Sequence, residues 1–506
     1  MGKKRIFYLA VASIIVVAIV FIVVLVVRAT QDTWRTESPD DELIGISYGE
    51  DYFNDPTAAK DRAQAAIMDR INKIHQKIYE ENKRVADSAD RYVKVALLMP
   101  LTVSAGRASA IPLDQIEHAL QGTYTALKRA NRDHTFGDPS RSAIQLILVN
   151  QGSRQDASDR LIDKLRGESE EEHPVVAVVG LGSSLPSIEQ VVNKLGAEGP
   201  EEERIPMVSA ITSADTLTGR ANFWSVSPSN RQYAAAIRNY LAARTDRPVA
   251  LMLRDQNNDP YTDSLAEAFS TELKEWMAYP PLIYNGGLLV QPATPNDFTT
   301  ATTNICTAAN DRAKPLNTIL YAGRLADFES FVRALATSRS CTPRLTVIAA
   351  ATGFASAQRW QEIVHEAKID LLFASPADPA AWLSPNGETG APVPEGFQDF
   401  LESYTAEGYR SEDLVDGMAI AHHDALATAA LAIRTGQGDV IPRPIDVAQR
   451  LSQLVIAFRV KGASGTLSFP ENAGGRATTR HIHIVQLAGE PARDKLSQDF
   501  QPYYVE

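Results

Sequence analysis

The run Val175 to Ser184, VVAVVGLGSS, constrains the fold more than any other stretch of this sequence. A continuous β-branched run bounded by turn residues suits a strand buried on both faces of a parallel sheet, and a helical pattern follows from Leu185. Gly182, Ser183 and Ser184 are therefore expected at a strand's carboxyl end. Open α/β sheets bind ligands there, because free amides at the start of the next helix face the crevice. Residues 206–209 read as the next strand, and 210–217 as a loop of small residues and hydroxyls. The two loops are expected to form one wall of a small-molecule site; the plainer reading is that each Ser and Thr caps a helix.

Strand-like and helix-like segments alternate from Tyr92 onward. Strands are expected at 93–99, 142–149 and from 175, with helices at 116–130 and 153–165. The rhythm resumes after Pro228, with helices at 231–243, 264–276, 299–306 and 326–337. Strands accompany them at 249–253, 282–284, 318–321, 345–349 and 371–373. Strand then helix at this spacing means a parallel doubly wound sheet, and so many strands mean two α/β lobes with a break near 223–229. Residues 378–394, rich in Pro, Gly and Ala, read as a loop. Helices around 397–404 and 414–433 are expected to rejoin the first lobe, before two last strands at 465–469 and 481–485.

Ahead of this body, MGKKR precedes an apolar run over 6–27, close to the ~20 residues a helix needs to cross a bilayer. It reads as an uncleaved signal anchor in the cell membrane. The cluster Lys3, Lys4 and Arg5 puts the N-terminus in the cytoplasm and the main body outside. Residues 30–56 read as a juxtamembrane linker. Over 58–86, Ile67, Ile71, Ile74 and Ile78 form the narrow stripe of an amphipathic helix. That stripe either meets another copy or a partner, or packs on the domain that follows. The expected division is 1–28 (cytoplasmic tip and span), 29–91 (linker and helix), 92–229 and 376–450 (first lobe), 230–375 (second lobe) and 451–506 (final crossover and strands).

The formal net charge is −12, and without the four cations that flank the apolar run, 46 basic residues face 62 acidic ones, or −16. Such a body repels nucleic acid and anionic lipid. The two cysteines, Cys306 and Cys341, suffice for one bridge, which in an oxidising compartment adds roughly 3–4 kcal/mol; the alternative is two separate buried thiols. Gly180-Leu-Gly182 lacks the third glycine of a dinucleotide fingerprint, there is no P-loop, and no nucleotide cofactor is expected. His422-His423-Asp424 cannot converge from adjacent helix positions, and His481 with His483 has no evident third ligand, so no metal is expected. Neither a nucleophile elbow nor a catalytic cysteine motif is present. What remains is a site built from strand-end loops, one wall per lobe. In the second lobe these are 255–261, Gly323-Arg324 and 350–354.

Several motifs together resemble the extracytoplasmic solute-binding proteins of the type I class, the leucine/isoleucine/valine-binding relatives of branched-chain amino acid importers. They are VKVALLMPL at Val93, VVAVVGLGSS at Val175, IPMVSAITSADTLT at Ile205, FWSVSPSN at Phe223, DPYTDSLAEAF at Asp259, LYAGR at Leu320 and GTLSFPENAG at Gly465. The resemblance covers about four-fifths of the chain, and the linker and span look like an actinobacterial form of the family. It implies two hinged lobes, no catalytic activity, and capture of a small solute for an ABC permease or, alternatively, for a membrane sensor partner. It also implies a ligand carboxylate held by Ser184, Ser209, Ala210 and Thr212, with Ser183 beside them and Tyr261, Arg324 and Thr352 opposite. Arg324 stands where the family's pattern has an aromatic, and Ala350-Ala351-Thr352-Gly353 offers no acid for an ammonium. An arginine there favours an anionic or neutral ligand, because a buried charge needs a partner.

Overall fold

The computed structural model describes residues 35–506 apart from 39–41, 90, 105–108, 157–158, 288–291, 339, 351–356, 365–366, 385–391, 437–439, 456–457, 490–495 and 498. The expected span at 6–27 lies outside the described residues, and among those described no helix is long and apolar enough to cross a membrane.

Lobe 1 begins with β1 (Arg35–Glu37), β2 (Leu43–Ser47) and α1 (Arg62–Ser88). Then come β3 (Tyr92–Met99), α2 (Leu113–Arg132), β4 (Ala143–Asn150), α3 (Asp159–Ser169), β5 (Val175–Gly180), α4 (Pro186–Gly196), β6 (Met207–Ser209) and β7 (Phe223–Ser225). The sheet order is β1-β2-β4-β3-β5-β6-β7. All its neighbours from β4 to β7 are parallel, and β1 and β2 add an antiparallel edge. β4 and β5 are buried along their whole length, as apolar runs in a sheet covered on both faces must be.

Lobe 2 runs through α5 (Asn230–Ala243), β8 (Ala250–Asp255), α6 (Pro260–Glu272), β9 (Leu282–Tyr284), α7 (Thr299–Ala309), β10 (Thr318–Ala322), α8 (Leu325–Thr337), β11 (Leu345–Ala350), α9 (Ala357–Val364) and β12 (Ile369–Ser375). The chain returns to lobe 1 through α10 (Pro379–Trp382), α11 (Phe397–Ala406), α12 (Met418–Arg434), α13 (Pro444–Leu451) and the small ribbon of β13 (Val460–Lys461) with β14 (Thr466–Leu467). It crosses back a third time and ends in β15 (Arg480–Ala488) and β16 (Tyr503–Val505). The second sheet is ordered β16-β15-β12-β11-β10-β8-β9, with β15 alone running against the others and so antiparallel to both its neighbours, β12 and β16. Each sheet has an apolar cluster on both faces.

The two-lobe α/β class is as expected, but the region ahead of it is not a linker. β2 pairs with β4, and Met68, Ile71, Ile74 and Ile78 of α1 are buried in the lobe 1 core. The isoleucine stripe therefore packs on its own domain. Asn82 takes the place of a strand partner: its Nδ2 donates to the Leu146 carbonyl and its Oδ1 accepts from the Leu146 amide, both at 2.8 Å. The buried carboxylate of Glu42 accepts from the Ser153 amide at 2.9 Å and from the Thr102 hydroxyl at 2.5 Å. These bonds hold 152–155 in turns, so the described helix starts at Asp159 rather than 153. Phe223–Ser225 forms the seventh strand, and the chain leaves lobe 1 directly after it, within the 223–229 stretch; α9 was not anticipated. Cys306 and Cys341 are joined in a disulfide.

Candidate functional site

The carboxyl end of β5 is bent back sharply: Gly180, Leu181 and Gly182 have φ of 93°, 67° and 72°. Glycine adopts this left-handed region freely; leucine does so only where its surroundings hold it there. The Leu181 amide donates to the Leu98 carbonyl at 2.6 Å, which fixes the bend. Ser183 is then gripped by Gln155, whose Oε1 accepts from the Ser183 amide at 2.8 Å and whose Nε2 donates to the Ser183 carbonyl at 2.9 Å. Ser184 Oγ accepts from the amides of Ser213 and Ala214 at 3.0 and 3.2 Å, tying the two lobe 1 loops together.

Opposite, Asp259 caps α6 by accepting from the amides of Tyr261 and Thr262. Its carboxylate takes both prongs of the Arg324 guanidinium, Nε to Oδ2 at 2.6 Å and Nη2 to Oδ1 at 2.8 Å. Arg324 lies over the Tyr261 ring at 5.3 Å, and its Nη2 also donates across the cleft to the Ser184 carbonyl at 2.6 Å. The Tyr261 hydroxyl donates to the Ala350 carbonyl. Burial holds this phenol well above the usual tyrosine range, against the pull of Arg324, so it stays a neutral donor.

Between these walls lies a cavity of about 270 Å³. Ser183, Ser184, Ser213, Asp114 and Gln115 line it from lobe 1; Tyr261, Arg324, Glu329 and Trp360 line it from lobe 2. Of the expected residues it thus unites Ser183, Ser184, Tyr261 and Arg324. Ser209, Ala210 and Thr212 are buried behind it, and their donors are used internally. The Ala210 amide donates to the Gly180 carbonyl at 3.1 Å, the Thr212 amide to Ser209 Oγ at 3.1 Å, and Ser209 Oγ to the Gly180 carbonyl at 3.5 Å. Thr352 lies outside the described residues.

Gln155, Asp114, Ser213, Glu329 and Trp360 escaped sequence reasoning. Only Ser213 carried a signal, as part of the hydroxyl-rich loop at 210–217. The free polar groups are few. Glu329 is paired with Arg333 at 2.8 Å, whereas the exposed Asp114 accepts from the Gln115 amide at 3.0 Å and has no cation within ion-pair distance among the described residues. The Trp360 indole N–H is buried and has no acceptor among the described residues.

This two-lobe arrangement of parallel-rich sheets is a fold shared with many solved proteins. A leucine-binding protein from Thermotoga maritima superposes with a TM-score of 0.54 at 16% identity, over 82% of this chain and 98% of that one. An ABC transporter substrate-binding protein from Aeropyrum pernix gives 0.59 at 16% identity, over 82% and 97%. This is the type I periplasmic-binding-protein fold. A third member of the fold, a solute-binding protein from Rhodopseudomonas palustris solved with p-hydroxybenzoic acid, gives 0.55 at 15% identity over 82% and 98%. No protein-family model and no curated protein matches the chain.

The type I periplasmic-binding-protein fold places the histidine clusters away from this cavity. His422 Nδ1 meets the Met418 carbonyl, while His423 lies between Asp424 and Arg129. His481 and His483 stand 6.3 Å apart, and among the described residues no three metal-ligating side chains converge.

Proposed function

We propose that this protein is an extracytoplasmic solute-binding protein whose two lobes close on a small polar solute, for delivery to an ABC permease. One observation carries the reading: the cavity between the lobes is lined from both, so a ligand selects the closed form by touching both walls. The solved proteins of this fold, with leucine-binding and p-hydroxybenzoic acid-bound examples among them, support capture rather than catalysis. Residues 6–27 serve as a single membrane span, with the N-terminus in the cytoplasm and both lobes outside.

The solute is neutral or carries an amine, and is not a simple anion. The expectation of an anionic or neutral ligand took Arg324 as an unpaired charge, and Asp259 already neutralises that charge. The donors expected to receive a carboxylate at Ser209, Ala210 and Thr212 are occupied as well. Asp114 adds an exposed carboxylate to the cavity wall, with which a ligand amine can pair.

The bridge from Arg324 to Ser184 favours a second reading, in which the cleft is held shut by its own side chains and the protein acts as a tethered sensor or scaffold. Thermal unfolding of the full chain against a panel of amines, amino acids, carboxylates and neutral polar metabolites separates the two. A solute at 100 times its dissociation constant adds about 2.7 kcal/mol. Stabilisation by an amine or neutral solute that is lost in Asp114→Asn supports the capture reading. Stabilisation by carboxylates alone overturns the solute class, and no stabilisation by any class leaves the scaffold.

A further inference from the structure

Arg476 lies in the third crossover, between β14 and β15, and Arg480 opens β15; both are buried from solvent. Arg476 is satisfied: its Nη1 donates to the Thr212 carbonyl at 2.5 Å, its Nη2 to the Ala214 carbonyl at 2.7 Å and its Nε to Thr218 Oγ1 at 3.1 Å. Arg480 is not. It is 2% exposed, and its one bond runs from Nη1 to Ser464 Oγ at 3.5 Å, the limit of hydrogen-bond reach. Nε and Nη2, the two parallel donors on one edge of the guanidinium, are buried and meet no acceptor among the described residues.

Among the described residues neither arginine has a carboxylate within ion-pair distance. The acid that bears on Arg480 is Asp424, whose oxygens are spent on His423, the Ala463 amide and the amide and hydroxyl of Ser464. Arg476 adds like charge nearby. A guanidinium does not give up its proton at working pH, and an isolated one taken out of water is costly. An arginine's Nε–Nη2 edge is the fork that receives an anion at two points.

We propose that the hinge holds a small monovalent anion, of the size of chloride or nitrate, against Nε and Nη2 of Arg480. The anion completes the charge of the crossover through which the chain passes from lobe 1 to lobe 2. It is separate from the solute cavity, whose lining does not include Arg480.

The test is thermal unfolding of the full chain in chloride, nitrate or gluconate salts at equal ionic strength, with Arg480→Gln beside the wild type. Chloride and nitrate should raise the wild-type midpoint by about 2 °C or more over gluconate, saturably, and leave Arg480→Gln unmoved. Equal midpoints in the three salts, or a dependence that persists in Arg480→Gln, overturn the site. Crystals of the wild type grown in bromide give a second measurement that does not depend on the folding of the variant. An anomalous peak beside Nε and Nη2 supports the proposal, and an ordered water there overturns it. Arg254→Gln, at an exposed ion pair with Asp263, should keep the anion response; losing it overturns the assignment to Arg480.

Discussion

Arg324 and Asp259 form a two-point ion pair within lobe 2, and the nitrogen that closes it, Nη2, also reaches the Ser184 carbonyl of lobe 1. A single guanidinium is thus both a structural charge and a bridge across the cleft. Its side chain is 12% exposed and that of Asp259 1%, so neither charge is well hydrated.

Arg324→Met should therefore leave Asp259 buried and unpaired. Removing one partner of such a pair costs about 3–5 kcal/mol, to be read as a shift in urea unfolding. The lost bridge should also enlarge the radius of gyration in solution scattering. An unchanged radius would show that other contacts hold the lobes together.

Stability should fall on both sides of a maximum near neutral pH. Burial pushes the unpartnered His75 down to about 3, and His422 and His483 to about 4. Below the ordinary value of about 6.5 the unfolded chain takes up protons that these folded side chains refuse, so stability is lost as pH falls from 6.5 toward those values. His118 has the opposite sign. Burial works against its charge, but Asp416 at 2.7 Å and Asp413 raise it to about 9, so its contribution is full below 6.5 and lost as pH rises toward 9. His75→Phe should flatten the acid limb and His118→Gln the alkaline one, each by up to about 1.4 kcal/mol per pH unit. Unaltered limbs in urea titrations at several pH values would refute the assignments.

Because α1 belongs to the core, Ile71→Ala and Ile78→Ala should each cost about 2–5 kcal/mol, and deleting residues 1–91 should abolish cooperative unfolding. A deletion that unfolds as sharply as the full chain would mean that α1 only decorates lobe 1.

The Cys306–Cys341 bridge closes a separation of 35 residues in lobe 2. Replacing both with serine should lower stability by about 2–4 kcal/mol. Reducing agent should produce a similar loss in the wild type and none in the variant. A variant as stable as the wild type would place the bridge's contribution near zero.

Strands buried on both faces were legible in the sequence because they leave continuous apolar runs, as at Val175–Gly180. The sequence was least legible where polar side chains replace backbone partners. Nothing local marks Asn82 as the continuation of β4, or Glu42 as the acceptor that turns the chain at Ser153. Strand-end position pointed to Ser183, Ser184, Tyr261 and Arg324. The pairing of Arg324 was not legible because its partner, Asp259, lies sixty-five positions earlier and is brought beside it only by the β8–β10 pairing. Trp360 and Asp114 sit on helices whose orientation no local pattern encodes.

The chain enters its folded body through β1 and β2, at the edge of the lobe 1 sheet, and leaves it through β15 and β16, at the edge of the lobe 2 sheet. If the lobes close on a solute as proposed, whatever grips the beginning of the chain makes lobe 1 the stationary base and lobe 2 the swinging jaw. A fluorophore fused after Glu506 therefore rides on the moving part, and its distance to a label on α1 is a direct gauge of how far the jaw has turned.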